Sequence, residues 1–178
     1  MGRTLNFKLR FPRGDIVKWA ERYGSSDADA VPLALGPVAK KRGYLTRSEF
    51  LALSRWKTPR TQKRCANNSA EFIKVVTEGS LSSSDERFRI EVLTLLSGVQ
   101  WPTASVILHF CAREPYPILD YRALWSLSCL VPEKGYDFEN WWDYCSFTRR
   151  LATQAGVSMR VLDRALWQYS KELQPANA

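Results

Sequence analysis

The chain has 178 residues, 45% of them hydrophobic, seven tryptophans and a formal net charge of +8. That length fits one domain, and this composition excludes a disordered chain. The longest apolar runs are too short to span a bilayer, and no long apolar segment follows Met1-Gly2-Arg3-Thr4, so neither a membrane protein nor a secretory leader is expected.

In chain order, residues 1–14 read as irregular and basic. Residues 15–23 read as a short helix with Ile16, Val17, Trp19 and Ala20 near one face, closed by Gly24. A polar loop follows over 25–30. Residues 31–42 pass from apolar to basic and carry Pro32, Gly36 and Pro37, which predicts irregular structure with helical turns. Thr46-Arg47-Ser48-Glu49 opens a helix to about residue 56, with Phe50, Leu51 and Leu53 on its apolar face. Residues 57–64 form a dense basic loop. Asn68 or Ser69 caps a helix over 70–78 built on Phe72, Ile73, Val75 and Val76, and Gly79 ends it. Ser83 and Glu86 make a capping box for a helix over 85–96.

A turn at Gly98 leads into a helix over about 102–112, where Pro102 suits the first turn. Glu114-Pro115-Tyr116-Pro117 is a rigid extended link. A helix over 121–129 begins directly after Asp120. An aromatic-rich helix over 138–154 carries Trp141 and Trp142, which cannot both face the core, and Gly156 ends it. Ser158 caps a last helix over 159–173, with Leu162, Ala165, Leu166 and Tyr169 inward. The final residues are expected to fray. The helical period recurs and strand alternation is scarce, so the fold class is all-α: a helical bundle in a single domain over 1–178.

Charge is distributed unevenly. Residues 1–64 hold 15 Lys/Arg against five Asp/Glu, and the remainder holds 11 against 13. A one-sided basic region suits a polyanion, most often nucleic acid. The four cysteines, at 65, 111, 129 and 145, lie at least 16 residues apart and lack metal or iron–sulfur spacing. They read as buried, reduced thiols, so a cytoplasmic location is expected, with nucleoid association if the source is bacterial. Neither a metal nor a cofactor is expected. Gly2, followed by Phe7 and Lys8, is a poor match to a myristoylation signal.

The most informative stretch is Leu95-Leu96-Ser97-Gly98-Val99-Gln100-Trp101-Pro102-Thr103-Ala104-Ser105-Val106-Ile107-Leu108, followed by Ile118-Leu119-Asp120. A short turn between two helices exposes backbone N–H groups at the start of the second helix, a sequence-blind phosphate site. Gly98 permits the sharp path, and the Thr103 hydroxyl offers a further donor. Around residues 85–130 this stretch resembles the helix-hairpin-helix DNA glycosylase superfamily, to which endonuclease III belongs. Leu96, Gly98, Val99, Thr103 and Ala104 fit its hairpin, and Asp120 falls where its catalytic aspartate is expected. Two departures stand out. Gln100 replaces the hairpin's second glycine, and Pro102 stands where bifunctional members carry a Schiff-base lysine. The resemblance implies an all-α, glycosylase-like fold, a partner of double-stranded DNA, and base removal without a lyase step.

On that reading Asp120 is the catalytic carboxylate; the alternative is a plain helix N-cap. Gly98, Val99, Gln100 and Thr103 hold the DNA backbone. Arg55, Lys57, Arg60, Lys63 and Arg64 add basic contacts, and Trp56 offers a stacking surface beside them. Lys57 is also an alternative nucleophile in place of the missing lysine. Arg122 pairs with a carboxylate or reaches phosphate. His109 reads as a surface or packed histidine. A non-catalytic relative that binds DNA or RNA, or serves as a partner subunit, is the other function the same residues allow. A third is a helical protein-interaction domain whose turn only packs helices.

Overall fold

The computed structural model describes residues 6–24 and 29–175. The expectations for the first residues, most of the 25–30 loop and the frayed C-terminus fall outside them. Among the described residues the regular structure is entirely helical. The helices are α1 Ile16–Tyr23, α2 Ala30–Arg42, α3 Arg47–Lys57, α4 Gln62–Cys65, α5 Ala70–Ser82, α6 Glu86–Leu93, α7 Trp101–Cys111, α8 Tyr121–Ser126, α9 Phe138–Ala155 and α10 Met159–Leu173. None is long and apolar enough to cross a membrane. The chain divides into two compact units, a terminal one over 1–25 and 116–178 and a middle one over 26–115.

The terminal unit is built on α10, which packs against α1, α8 and α9. Ser158 caps α10 by accepting from the Val161 N–H at 3.2 Å, and Leu162, Ala165 and Leu166 are buried. Tyr169 anchors an aromatic cluster: Phe11 lies 4.6 Å away, Trp19 meets it edge-on at 5.0 Å, and Trp125 stacks at 5.8 Å between centroids. The extended N-terminal arm is pinned to the end of α8, where the Lys8 and Arg10 N–H groups donate to the carbonyls of Leu127 and Ser126. Trp141 is fully buried on α9 while Trp142 is half-buried, as two consecutive helical positions require.

The middle unit packs α2 and α3 on α7, and α6 on both α5 and α7. Its core includes Phe50, Leu53, Ile73, Ile90, Leu93 and Ile107. Thr46 and Glu49 form the capping box that opens α3.

Several boundaries differ from those expected. Residues 31–42 are continuous helix: Pro32 sits in the first turn, where no N–H is needed, and Pro37 is accommodated inside. The basic segment is not a loop but a 3₁₀ turn, Pro59–Thr61, followed by α4. α5 passes through Gly79 to Ser82, because that glycine keeps a helical backbone with the Phe88 ring 3.7 Å from where a Cβ would stand. The cap of α6 is Asp85, which accepts from the Phe88 N–H at 2.7 Å, while Ser83 closes α5. α6 ends at Leu93 and continues as turns. α8 stops at Ser126, ahead of Ser128 at φ 57°. Val17, Phe72 and Val75 are exposed rather than inward.

Candidate nucleic-acid interface

The turn between α6 and α7 is built on Gly98, whose φ of 83° is open to glycine at little cost. The glycine meets a second demand, which is space. A Cβ there would lie 2.7 Å from Cys65 Sγ, 2.9 Å from the Cys65 nitrogen and 3.1 Å from Arg64 Cβ. The turn therefore sits directly on α4, the end of the basic segment.

Asn68 joins the two. Its Nδ2 donates to the Cys65 carbonyl at 2.9 Å and the Ser97 carbonyl at 3.0 Å, and its Oδ1 accepts from the Ser97 N–H at 2.8 Å. The side chain is 6% exposed, so these bonds form out of water and fix the turn's register. In the sequence Asn68 reads only as a cap of α5; Ser69 takes that role, accepting from the Phe72 N–H at 3.1 Å. A polar residue that bridges 29 positions leaves no local signal.

Arg55 on α3, Arg60 on the 3₁₀ turn and Lys63 and Arg64 on α4 are exposed, and no ion pair engages them among the described residues. Ser97 and Gln100 are exposed beside them. Gln100 is the N-cap of α7 but makes no side-chain cap bond, and Pro102 is the second residue of the helix. Lys57 is half-buried at the C-terminal end of α3.

Other expected residues serve the packing. Val99 and Thr103 are 1% and 3% exposed, so the Thr103 hydroxyl is not the surface donor expected of it. Trp56 is half-buried: its Nε1 donates to the buried Asp29 at 3.3 Å and its ring meets Phe110 edge-on, so it is a packing group rather than a stacking surface. His109 is half-buried on α7, against Phe110.

Asp120 belongs to the terminal unit. It is the N-cap of α8, and its Oδ1 accepts from the Arg122 N–H at 3.0 Å. Its carboxyl is half-buried, and the neighbouring Tyr136 phenol is pushed up to about 12 by burial, with the Asp120 and Cys129 charges adding to the shift. Tyr136 thus stays protonated, a hydrogen-bond donor, through neutral pH. The cysteines at 65, 111, 129 and 145 are free and buried, and burial drives the Cys111 thiol up to about 12.

No family model, curated protein or solved structure matches this chain.

Proposed function

We propose that this protein binds double-stranded DNA through the surface shared by the α6–α7 turn and the basic segment of the middle unit. We further propose that it is a monofunctional DNA glycosylase, with Asp120 as the acid group. The observation that carries the DNA-binding reading is the docking of α4 on the turn, with Gly98 against Cys65 and Asn68 bonded to both. Two features that stand apart in the sequence, the phosphate-binding type of turn and the cationic run, form one patch. Backbone amides at a helix start suit a phosphate at short range, and the exposed Arg55, Arg60, Lys63 and Arg64 gain from releasing counterions along the duplex.

In the proposed chemistry a base leaves the duplex stack at a cost of a few kcal/mol. As the glycosidic bond breaks, the sugar gains positive charge, and the Asp120 carboxylate offsets it and orients the attacking water. Pro102 removes the amine that a lyase step needs, so water is the nucleophile and the product is an abasic site.

A second reading, DNA binding without chemistry, is favoured by one observation: Asp120 already works as a helix cap through the Arg122 N–H.

The test has two stages. Fluorescence anisotropy with a labelled duplex across a salt series is expected to show binding that weakens steeply as salt rises; no salt-dependent binding overturns both readings. Duplexes carrying damaged or modified bases are then incubated and treated with alkali to reveal abasic sites. Strand breaks that vanish in Asp120→Asn, with duplex affinity kept, support the glycosylase. Intact strands throughout, with binding preserved, leave the binding-only reading in its place. A borohydride-trapped adduct would instead implicate an amine such as Lys57.

A further inference from the structure

The terminal unit carries a second surface that neither the turn nor Asp120 explains. Along α10, Arg160, Arg164, Trp167 and Lys171 recur at spacings of four, three and four, which places them on one face of the helix. That stripe is about 16 Å long at 1.5 Å per residue. Two further rings flank it. Tyr23, the last residue of α1, meets Trp167 edge-on with centroids 5.3 Å apart. Tyr121, the first residue of α8, is 50% exposed, and the Arg122 guanidinium lies 5.1 Å from its ring centroid and 5.7 Å from that of Trp167. Lys171 Nζ stands 5.1 Å from the Trp167 ring, and Arg160 and Arg164 stand 5.6 and 5.3 Å from Tyr23.

The face is therefore a row of three rings interleaved with four cations. Three acids lie beside it: Asp163 is buried and paired with Arg160 at 2.8 Å, Glu172 is paired with Arg22, and the half-buried Asp120 caps α8 through the Arg122 N–H. Arg122 is half-buried and Lys171 exposed, so these cations keep a view of solvent.

We infer that this face binds unpaired, single-stranded DNA. Rings interleaved with cations match a strand whose bases offer π faces and whose phosphates alternate with them. At the roughly 3.4 Å rise per nucleotide of a stacked strand, the stripe accommodates several nucleotides. Tyr121 and Trp167 take bases, while Lys171 and Arg122 move from ring to phosphate. A duplex hides its base faces and gains only the charge contacts here. The face lies apart in sequence from the turn and basic segment and does not depend on the duplex-binding proposal.

The experiment compares three labelled probes by anisotropy: a single-stranded oligonucleotide, the same strand with abasic sites throughout, and a duplex. The wild-type protein is expected to bind the single strand about tenfold more tightly than its abasic counterpart. Tyr121→Ala is expected to remove most of that difference, and Lys171→Gln to reduce the single-strand salt slope by about 0.7. Tyr121→Ala should leave duplex affinity unchanged within about twofold, because the turn and basic segment proposed to hold the duplex belong to the middle unit. Trp167→Phe, which keeps a ring against Tyr23, should retain single-strand binding. Equal affinity for intact and abasic strands overturns the inference, as does wild-type single-strand affinity in both Tyr121→Ala and Lys171→Gln. Loss of duplex binding alone counts against the proposed function and not against this face.

Discussion

At the scale of single residues, Asn68 decides more than any of the charged groups around it. Its side chain satisfies the Ser97 N–H and carbonyl and the Cys65 carbonyl at once, in a nearly dry setting. Removing it leaves those backbone groups without the partner they were built around. Asn68→Ala is expected to cost about 1–3 kcal/mol of stability, read from urea denaturation, and to weaken duplex binding while single-strand binding persists. Wild-type stability in that variant would show that the bonds do not hold the turn. Gly98 was legible in the sequence, because a glycine between two apolar helices has few other uses; its approach to Cys65 was not. Val99 and Thr103 were legible as parts of a hairpin but not as core residues. A side chain's chemical type does not reveal which way α7 faces, and α7 is covered along most of its length.

At the scale of elements, α2 shows how tertiary packing overrides local breakers. Pro32, Gly36 and Pro37 argue against a helix in isolation, yet the helix is continuous. Gly36 is the reason it packs: a Cβ there would lie 2.7 Å from the Phe110 carbonyl oxygen, so the glycine lets α2 close on α7. Pro37 is exposed and contributes no such fit, while it leaves the Leu33 carbonyl without its helical donor. Opposite outcomes follow for adjacent substitutions. Pro37→Ala is expected to stabilise the protein by roughly 1–2 kcal/mol, the helix propensity gain less the stiffness that proline gives the unfolded chain. Gly36→Ala, although it also raises helix propensity, is expected to destabilise by about 1–3 kcal/mol through overpacking. Thermal melts of the two variants check the signs; a stabilising Gly36→Ala would show that α2 and α7 are not held by this close approach. The long periodic helices α9 and α10 were legible nearly to the residue, since Gly156 marks the end of α9 and Ser158 caps α10. The ends of α5 and α6 were not: Gly79 reads as a stop and Ser83 as the cap of α6, whereas α5 runs through Gly79 to Ser82 and Asp85 caps α6.

At the scale of the whole molecule, the unevenness of charge takes on a different meaning. The sequence places the basic excess in residues 1–64, as though it were one region. The chain's path divides that region: residues up to 25 belong to the terminal unit and the rest to the middle one. Nine of the 15 cations, including all five of the 55–64 segment, lie in the middle unit, and six lie in the terminal one. Proximity in sequence thus overstates the size of the proposed duplex-binding patch, and the two groups are separable by substitution. Arg60→Gln combined with Arg64→Gln is expected to lower the slope of log K against log salt for the duplex, by about 0.9 for each phosphate that is no longer neutralised. Lys8→Gln combined with Lys18→Gln removes the same charge from exposed positions of the same basic third, but from the terminal unit. If binding follows net charge alone, the two double variants behave alike. If it follows the patch on α4 and the turn, only the first pair lowers the duplex slope.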